Sequence, residues 1–307
     1  MPIRYQKTIS GKASLEGVGL HTGIKSTLTI KPAKENAGII FVRTDLDGNP
    51  SVPAKIDNVF GTNRGTVLER EGVRIHTVEH VLAALRGLAV DNATIELSGP
   101  EPPIMDGSAM SFVKEIKKAG IIDQNITQDS IKVTEPIQFN DPDSDTEINV
   151  LPANQFKITY FMDYGLPKFG LQYSSIENVD VEFAKEIAPA RTFGLLSEIA
   201  QLKQNGLIKG GSLENAVIIV DKKVDDNEHK LLSKLFGLKT QPTFNKGDIL
   251  NSEGLYFDNE PVRHKVLDLV GDMALLGKPI EGHIIATKSG HSANIELAKK
   301  IKQKMEL

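Results

Sequence analysis

Cysteine is absent from all 307 residues. That excludes a disulfide framework and any thiolate ligand, so a bound metal would have to be held by His, Asp or Glu. The absence is compatible with the cytoplasm, which is the expected location. The opening Met1-Pro2-Ile3-Arg4-Tyr5-Gln6-Lys7 lacks the apolar core of a signal peptide. No stretch approaches the ~18 apolar residues of a membrane span, so stable membrane insertion is not expected. An excess of positive charge is also missing. Lys and Arg total 36 against 40 Asp and Glu, for a net charge of −4. A nucleic-acid backbone is therefore not an expected partner.

What is present is an ordinary globular composition, 40% hydrophobic, at a length for which two domains are the natural expectation. The chemistry concentrates in Val262-Arg263-His264-Lys265-Val266-Leu267-Asp268-Leu269-Val270-Gly271-Asp272. His264, Asp268 and Asp272 fall at i, i+4 and i+8, one row of a helix, while Val262, Val266, Leu269, Val270 and Met273 recur at helical spacing on another face. One side can bury while the other presents imidazole and carboxylate together. A second half-site stands at His76-Thr77-Val78-Glu79-His80, an H-x-x-E-H spacing on a helix expected from about His76 to Gly87. A zinc hydrolase needs imidazole or carboxylate ligands, an open position for water, and a carboxylate that stays off the metal. Glu79 could be that carboxylate. If His76 and His80 both bound metal with His264 and Asp268, the site would be closed and structural. Spacing alone leaves open which His stays out.

In chain order, residues 1–60 read as strands, with Ser26–Ile30 and Gly38–Val42 the clearest, and His21 in a turn-like stretch as a structural or cleft residue. Asn92–Leu97 reads as a strand and Ser111–Lys118 as a helix, and the polar residues 123–130 as a linker. Ile131–Phe139 and Phe156–Met162 read as strands, Glu182–Asn205 as mainly helical with a break near Pro189, and Ala216–Val220 as a buried strand. Residues 221–250 are charged and irregular. A helix over Pro261–Leu276 follows, then a strand over Gly282–Thr287, a loop carrying His291, and a closing helix. The halves align without a gap: His76-x3-His80 falls on His264-x3-Asp268, Leu88 on Leu276, and Ile95–Leu97 on His283–Ile285. The expectation is an α+β fold of two duplicated domains, residues 1–126 and 127–307, each with helices on a mainly antiparallel sheet and the active site in the cleft between them. A pseudo-twofold of this kind requires His80 and His264 to lie within ~10 Å, because zinc–nitrogen bonds are about 2 Å long.

Each candidate also has a plainer reading. His264 with Asp268 could be a local hydrogen bond on a solvated helix face. Asp272 could orient an imidazole or be an exposed acid. His291, in a glycine-flanked loop, could be a proton donor or a surface histidine. Lys265 could meet an anionic group or simply be solvated. Thr192, in Ala190-Arg191-Thr192-Phe193-Gly194, could donate to an oxyanion or cap a helix. Ile199, Ile208, Leu213, Ala216 and Ile218 could be core or an apolar ligand channel.

Eight stretches then carry a resemblance. They are GVGLHTG (17–23), TVEH (77–80), DNATIEL (91–97), PIMDGS (103–108), APARTFG (188–194), GGSLENA (210–216), VRHKVLDLVGD (262–272) and KSGHSAN (288–294). In this order, end to end, the chain resembles the UDP-3-O-acyl-N-acetylglucosamine deacetylases, zinc hydrolases of the committed step of lipid A biosynthesis in Gram-negative bacteria. The form fused to a dehydratase is not expected. The resemblance implies one catalytic Zn2+, with Fe2+ possible, on His80, His264 and Asp268, leaving His76 out. It implies Glu79 as general base, His291 as general acid held by Asp272, and Thr192 polarising the amide carbonyl. Lys265 and Phe193 fall on substrate-contacting positions. The acyl passage includes Ile199, Leu213, Ala216 and Ile218. Implied with these are an acylated UDP-sugar substrate and a monomeric enzyme. Gly65 departs from some relatives, which carry cysteine near the cleft.

Overall fold

The computed structural model describes residues 4–166, 169–225, 230, 232–233, 236 and 247–306. Much of the charged segment 221–250, expected to be irregular, lies outside the described residues.

Two sheets carry the duplication. The first has the order β2 (Ala13–Val18), β3 (Lys25–Pro32), β9 (Ala93–Leu97), β4 (Ile39–Arg43), β5 (Ser51–Pro53). The second has the order β12 (Ile137–Asp141), β13 (Thr146–Leu151), β18 (Ile280–Thr287), β14 (Phe156–Asp163), β15 (Leu171–Ile176). The strand directions match pair by pair. β3 runs antiparallel to β9 and β4 parallel to it, just as β13 runs antiparallel to β18 and β14 parallel to it. The aligned segments Ile95–Leu97 and His283–Ile285 thus lie in the central strands of the two sheets. Burial alternates along β3 and β18, the pattern of strands with one face on a core and one facing water. In sum the fold is α+β, as the duplicated pattern implies.

Among the described residues lie helices α1 (Glu79–Gly87), α2 (Met110–Ala119), α3 (Val179–Glu182), α4 (Leu196–Gln204), α5 (Glu260–Ala274) and α6 (His291–Lys304). α1 belongs to the first repeat and α5 to the second, and they pack against each other. Every residue of α1 is buried. A helix with no solvated face belongs inside a core, and one apolar cluster runs through both repeats around this pair, from Leu28 and Ile95 to Val266 and Ile284. Glycine makes the close contact possible. A Cβ on Gly271 would meet the Glu79 carbonyl, and one on Gly87 would overlap the Phe183 ring.

Several expectations change. The polar residues 123–130 are not a linker up to Thr127: Ile121–Thr127 is β10, antiparallel to β1 (Tyr5–Ile9). Its polar side chains are used locally, Gln124 accepting from Asn92 and donating to the Ala33 carbonyl. Ile131–Phe139 is two strands, since β11 (Ile131–Lys132) ends before Pro136 and β12 begins at Ile137. Glu182–Asn205 is less helical than expected: a π-helical turn (Phe183–Ile187) is followed by β16 (Phe193–Leu195), which pairs in parallel with β17 (Val217–Ile219). Helix α1 starts at Glu79 rather than near His76. Thr77 takes a left-handed φ of 51°, and its hydroxyl donates to Glu101 at 2.7 Å, which keeps the preceding residues out of the helix. His291 is not in a loop. It is the first residue of α6, behind an extended Gly290.

Candidate active site

The His80 and His264 rings meet edge to face, centroids 5.0 Å apart. His264 Nε2 lies 3.3 Å from Asp268 Oδ1. One donor atom from each of His80, His264 and Asp268 falls within 4.8 Å of the other two, and all three residues are buried. These residues could hold a metal ion, and three observations fit one. His264 Nδ1 donates to the Ala190 carbonyl at 3.0 Å, which leaves Nε2 with its lone pair toward Asp268. His80 Nδ1 is buried with no hydrogen-bond partner, a costly state for a polar atom. Burial, then the neighbouring His264, pushes the His80 imidazole down to about 3, and burial lowers His264 as well, so both rings are neutral near neutral pH. Burial opposes charge on Asp268, but Lys265 and then His264 outweigh it and keep the carboxyl well below its usual range. Lys265 Nζ donates to Asp268 Oδ2 at 2.9 Å and lies 5.5 Å from the centre of the Phe193 ring.

Beside this cluster stand an acid and a base. Glu79 Oε1 is 3.8 Å from His291 Nε2, while Glu79 Oε2 accepts from the Thr66 N–H at 3.0 Å. Burial, with smaller contributions from Asp272 and Asp268, raises the Glu79 carboxyl to about 7 against the pull of His291. His291 Nδ1 sits 2.9 Å from Asp272 Oδ2. Burial alone would depress this imidazole, but Asp272, Asp268 and Glu79 together raise it to about 10. Asp272 is fully buried and also accepts from Asn294 Nδ2 at 2.9 Å and Thr66 Oγ1 at 2.6 Å. It therefore meets His291 and not the His80, His264 and Asp268 group. His76 is half-buried outside the helix and does not join the His80, His264 and Asp268 group.

The segment 190–195 runs against His264. Arg191 is buried and clamped on Glu260 at the start of α5, through Nε at 2.8 Å, Nη2 at 3.0 Å and its own N–H at 2.9 Å. That clamp carries Ala190 to His264 and sets Phe193 beside it, the two ring centres 6.4 Å apart. Thr192 is not a helix cap. α4 starts four residues later, and Thr192 lies just before β16, its N–H donating to the Gly107 carbonyl at 2.7 Å. Thr192, Phe193, Ile199, Ala216 and Ile218 line an apolar cavity with Leu20, Ile208 and Phe236, and His21 and Arg64 also line it. Leu213 does not line it but packs against the Ile199–Ile218 cluster. His21 is held by Glu101, which accepts from its N–H at 3.0 Å, and its Nε2–H donates to the Arg64 carbonyl at 3.1 Å.

Thr66, Asn294, Arg191 and Glu260 are not among the site residues read from sequence. Asn294 lies three residues after His291 on a helix that sequence reading starts later, which hid the pairing. Thr66 has no local signal, because its partners lie 13 and 206 residues away.

A model of the family described as UDP-3-O-acyl N-acetylglycosamine deacetylase matches residues 6–234 and 237–303. The chain is 44% identical over 300 residues to a protein of Chlorobaculum tepidum named bifunctional enzyme LpxC/FabZ, covering 97% of this chain and 64% of that protein. It therefore spans less than two thirds of that relative's length. It is 41% identical over 296 residues to a UDP-3-O-acyl-N-acetylglucosamine deacetylase of Myxococcus xanthus, covering 96% and 86% of the two chains. With the protein of the same name from Chlamydia felis it shares 40% over 304 residues, 99% of each. On this breadth of match, the chain belongs to the UDP-3-O-acyl N-acetylglycosamine deacetylase family.

Proposed function

We propose that the protein hydrolyses the 2-acetamido group of UDP-3-O-acyl-N-acetylglucosamine, releasing acetate and the free 2-amino sugar nucleotide, the committed step of lipid A biosynthesis. The observation that carries this reading is the adjacency of two sets of groups. His80, His264 and Asp268 converge within 4.8 Å, and the Glu79–His291 pair stands beside them at 3.8 Å. The metal is zinc in this reading, with iron(II) as the alternative, since both accept two imidazoles and a carboxylate. When bound, it supplies Lewis-acid polarisation of the amide carbonyl and acidifies a water.

The chain's own groups do the rest. Glu79 accepts the proton of the attacking water, and a carboxyl raised to about 7 has the basicity for that task near neutral pH. The Thr66 N–H holds Oε2, so Oε1 is the oxygen facing His291. His291, as imidazolium, gives its Nε2 proton to the leaving amine nitrogen, because Asp272 occupies Nδ1. The Thr192 hydroxyl donates to the developing oxyanion. Lys265 and Phe193 contact the sugar nucleotide. The acyl chain takes the apolar cavity along Ile199, Ala216 and Ile218, with Leu213 behind them. In this reading the enzyme is a cytoplasmic monomer of two repeat units, divided between residues 126 and 127.

The test is release of free amine from UDP-3-O-acyl-N-acetylglucosamine, with and without a chelator. Turnover that stops on chelation and returns with zinc is the expected result. A folded, zinc-replete sample with no turnover overturns the reading.

A further inference from the structure

Three consecutive residues, Arg64 to Thr66, touch both the acid–base groups and the wall of the apolar cavity. On one side Thr66 donates its N–H to Glu79 Oε2 at 3.0 Å and its hydroxyl to Asp272 Oδ1 at 2.6 Å. On the other, the Arg64 guanidinium makes a two-pronged contact with Glu198, Nη1 to Oε2 at 3.0 Å and Nη2 to Oε1 at 2.7 Å. Glu198 belongs to α4 and directly precedes Ile199, which lines the cavity, as Arg64 itself does. The Arg64 carbonyl accepts from His21, a third residue of the same wall. Arg64 takes a left-handed φ of 63°, unusual for a residue other than glycine or asparagine. Contacts at both ends hold the loop in that conformation. Between the loop's two ends, a Cβ on Gly65 would lie only 3.1 Å from Glu79 Oε1, so the loop runs close against the proposed base.

Taking the occupant of the cavity from the deacetylase reading, we propose that Arg64, braced by Glu198, is a specificity-determining residue. It closes the cavity over a long acyl chain and transmits filling of the cavity through Thr66 to Glu79 and Asp272. The brace suits a closure that must open. Its side chains are 47% and 32% exposed, so the ion pair contributes little by itself in water. A chain lying beneath it excludes water and strengthens it, because charges attract more strongly in a low dielectric. A long chain then gains affinity and a better-held base together, whereas a chain too short to reach Ile199 gains neither.

The experiment compares the zinc-loaded parent with Glu198→Gln, Arg64→Glu and the swap Arg64→Glu/Glu198→Arg. Each is assayed for kcat and KM on sugar nucleotides bearing a long and a short 3-O-acyl chain. The expected result is a fall of about fivefold in the long-to-short ratio of kcat/KM for the single variants. Both kcat and KM move on the long substrate, and the swap recovers the ratio. Equal losses on both substrates, an unchanged ratio, or a swap no better than the singles overturns the proposal. A second arm needs no turnover: displacement of a fluorescent fatty acid by myristic acid against octanoic acid. Preference for myristic acid in the parent that is lost in the singles supports the brace even if the sugar nucleotide is not hydrolysed, which would sink the deacetylase reading alone. A parent that binds both acids equally overturns the brace.

Discussion

A Cβ built on Gly271 would lie 2.2 Å from the main-chain oxygen of Glu79, so the two helices that carry His80, His264 and Asp268 cross with no room for a side chain. The crossing is what brings His80 to His264. Gly271→Ala is expected to cost about 1–3 kcal/mol of stability, the usual range for overpacking a core. It should also weaken metal binding at least tenfold by parting the ligands. Denaturant unfolding and competition with a zinc indicator measure the two effects. A variant that binds zinc like the parent would show that the crossing does not set the ligand geometry.

Replacing His264 by Ala should abolish metal binding, whereas His76→Ala should leave it near the parental value. His264 contributes to the group of atoms within 4.8 Å, and His76 lies outside the helix that carries Glu79 and His80. Metal content after dialysis, read by atomic absorption, checks both. The opposite order of severity would favour a peptidase-like site on His76, Glu79 and His80.

Glu79→Gln should keep the metal and lose turnover by about 10²–10⁴-fold, the usual contribution of a general base. Gln can still accept from the Thr66 N–H, so the loop should hold. A variant that turns over like the parent would remove Glu79 from the proton transfer.

The same substitution should stabilise the metal-free protein at alkaline pH. The Glu79 carboxyl is raised from 4.5 to about 7 in the fold, so the folded state holds this proton more tightly than the unfolded state. Its contribution to stability is present below the unfolded value and is lost as pH rises through about 7. Metal-free Glu79→Gln should therefore melt higher than the parent at pH above 7, with the difference vanishing in acid. Thermal melts across that range decide it.

The pH profile of kcat/KM should be a bell. Its acidic limb reports Glu79 losing a proton, at or below about 7, and its basic limb reports His291 losing one, at or below about 10. The bound dication adds positive charge and moves both limbs down. The acidic limb should disappear in Glu79→Gln if residual activity is measurable. A flat profile would mean that proton transfer by this pair does not limit the reaction.

Local sequence determined a good deal of this protein. The i, i+4 spacing of His264 and Asp268 on an amphipathic helix is a property of neighbours along the chain, and α5 carries it as read. The equivalence of Ile95–Leu97 and His283–Ile285 was legible because both halves repeat one hydrophobic pattern. The fate of His76 was not. It depends on Glu101 holding Thr77 in a left-handed conformation from 24 residues away, which no window around the motif contains. Likewise, nothing near Thr66 signals that it joins Glu79 to Asp272, and nothing near Ala190 signals that its carbonyl orients His264. Periodicity is set by the backbone geometry of a single element and can be read from it. Which imidazole, hydroxyl or carbonyl meets which partner is set where elements cross. Here that is the contact of α1 with α5 at Gly271 and the clamp of Arg191 on Glu260, and only tertiary packing decides both.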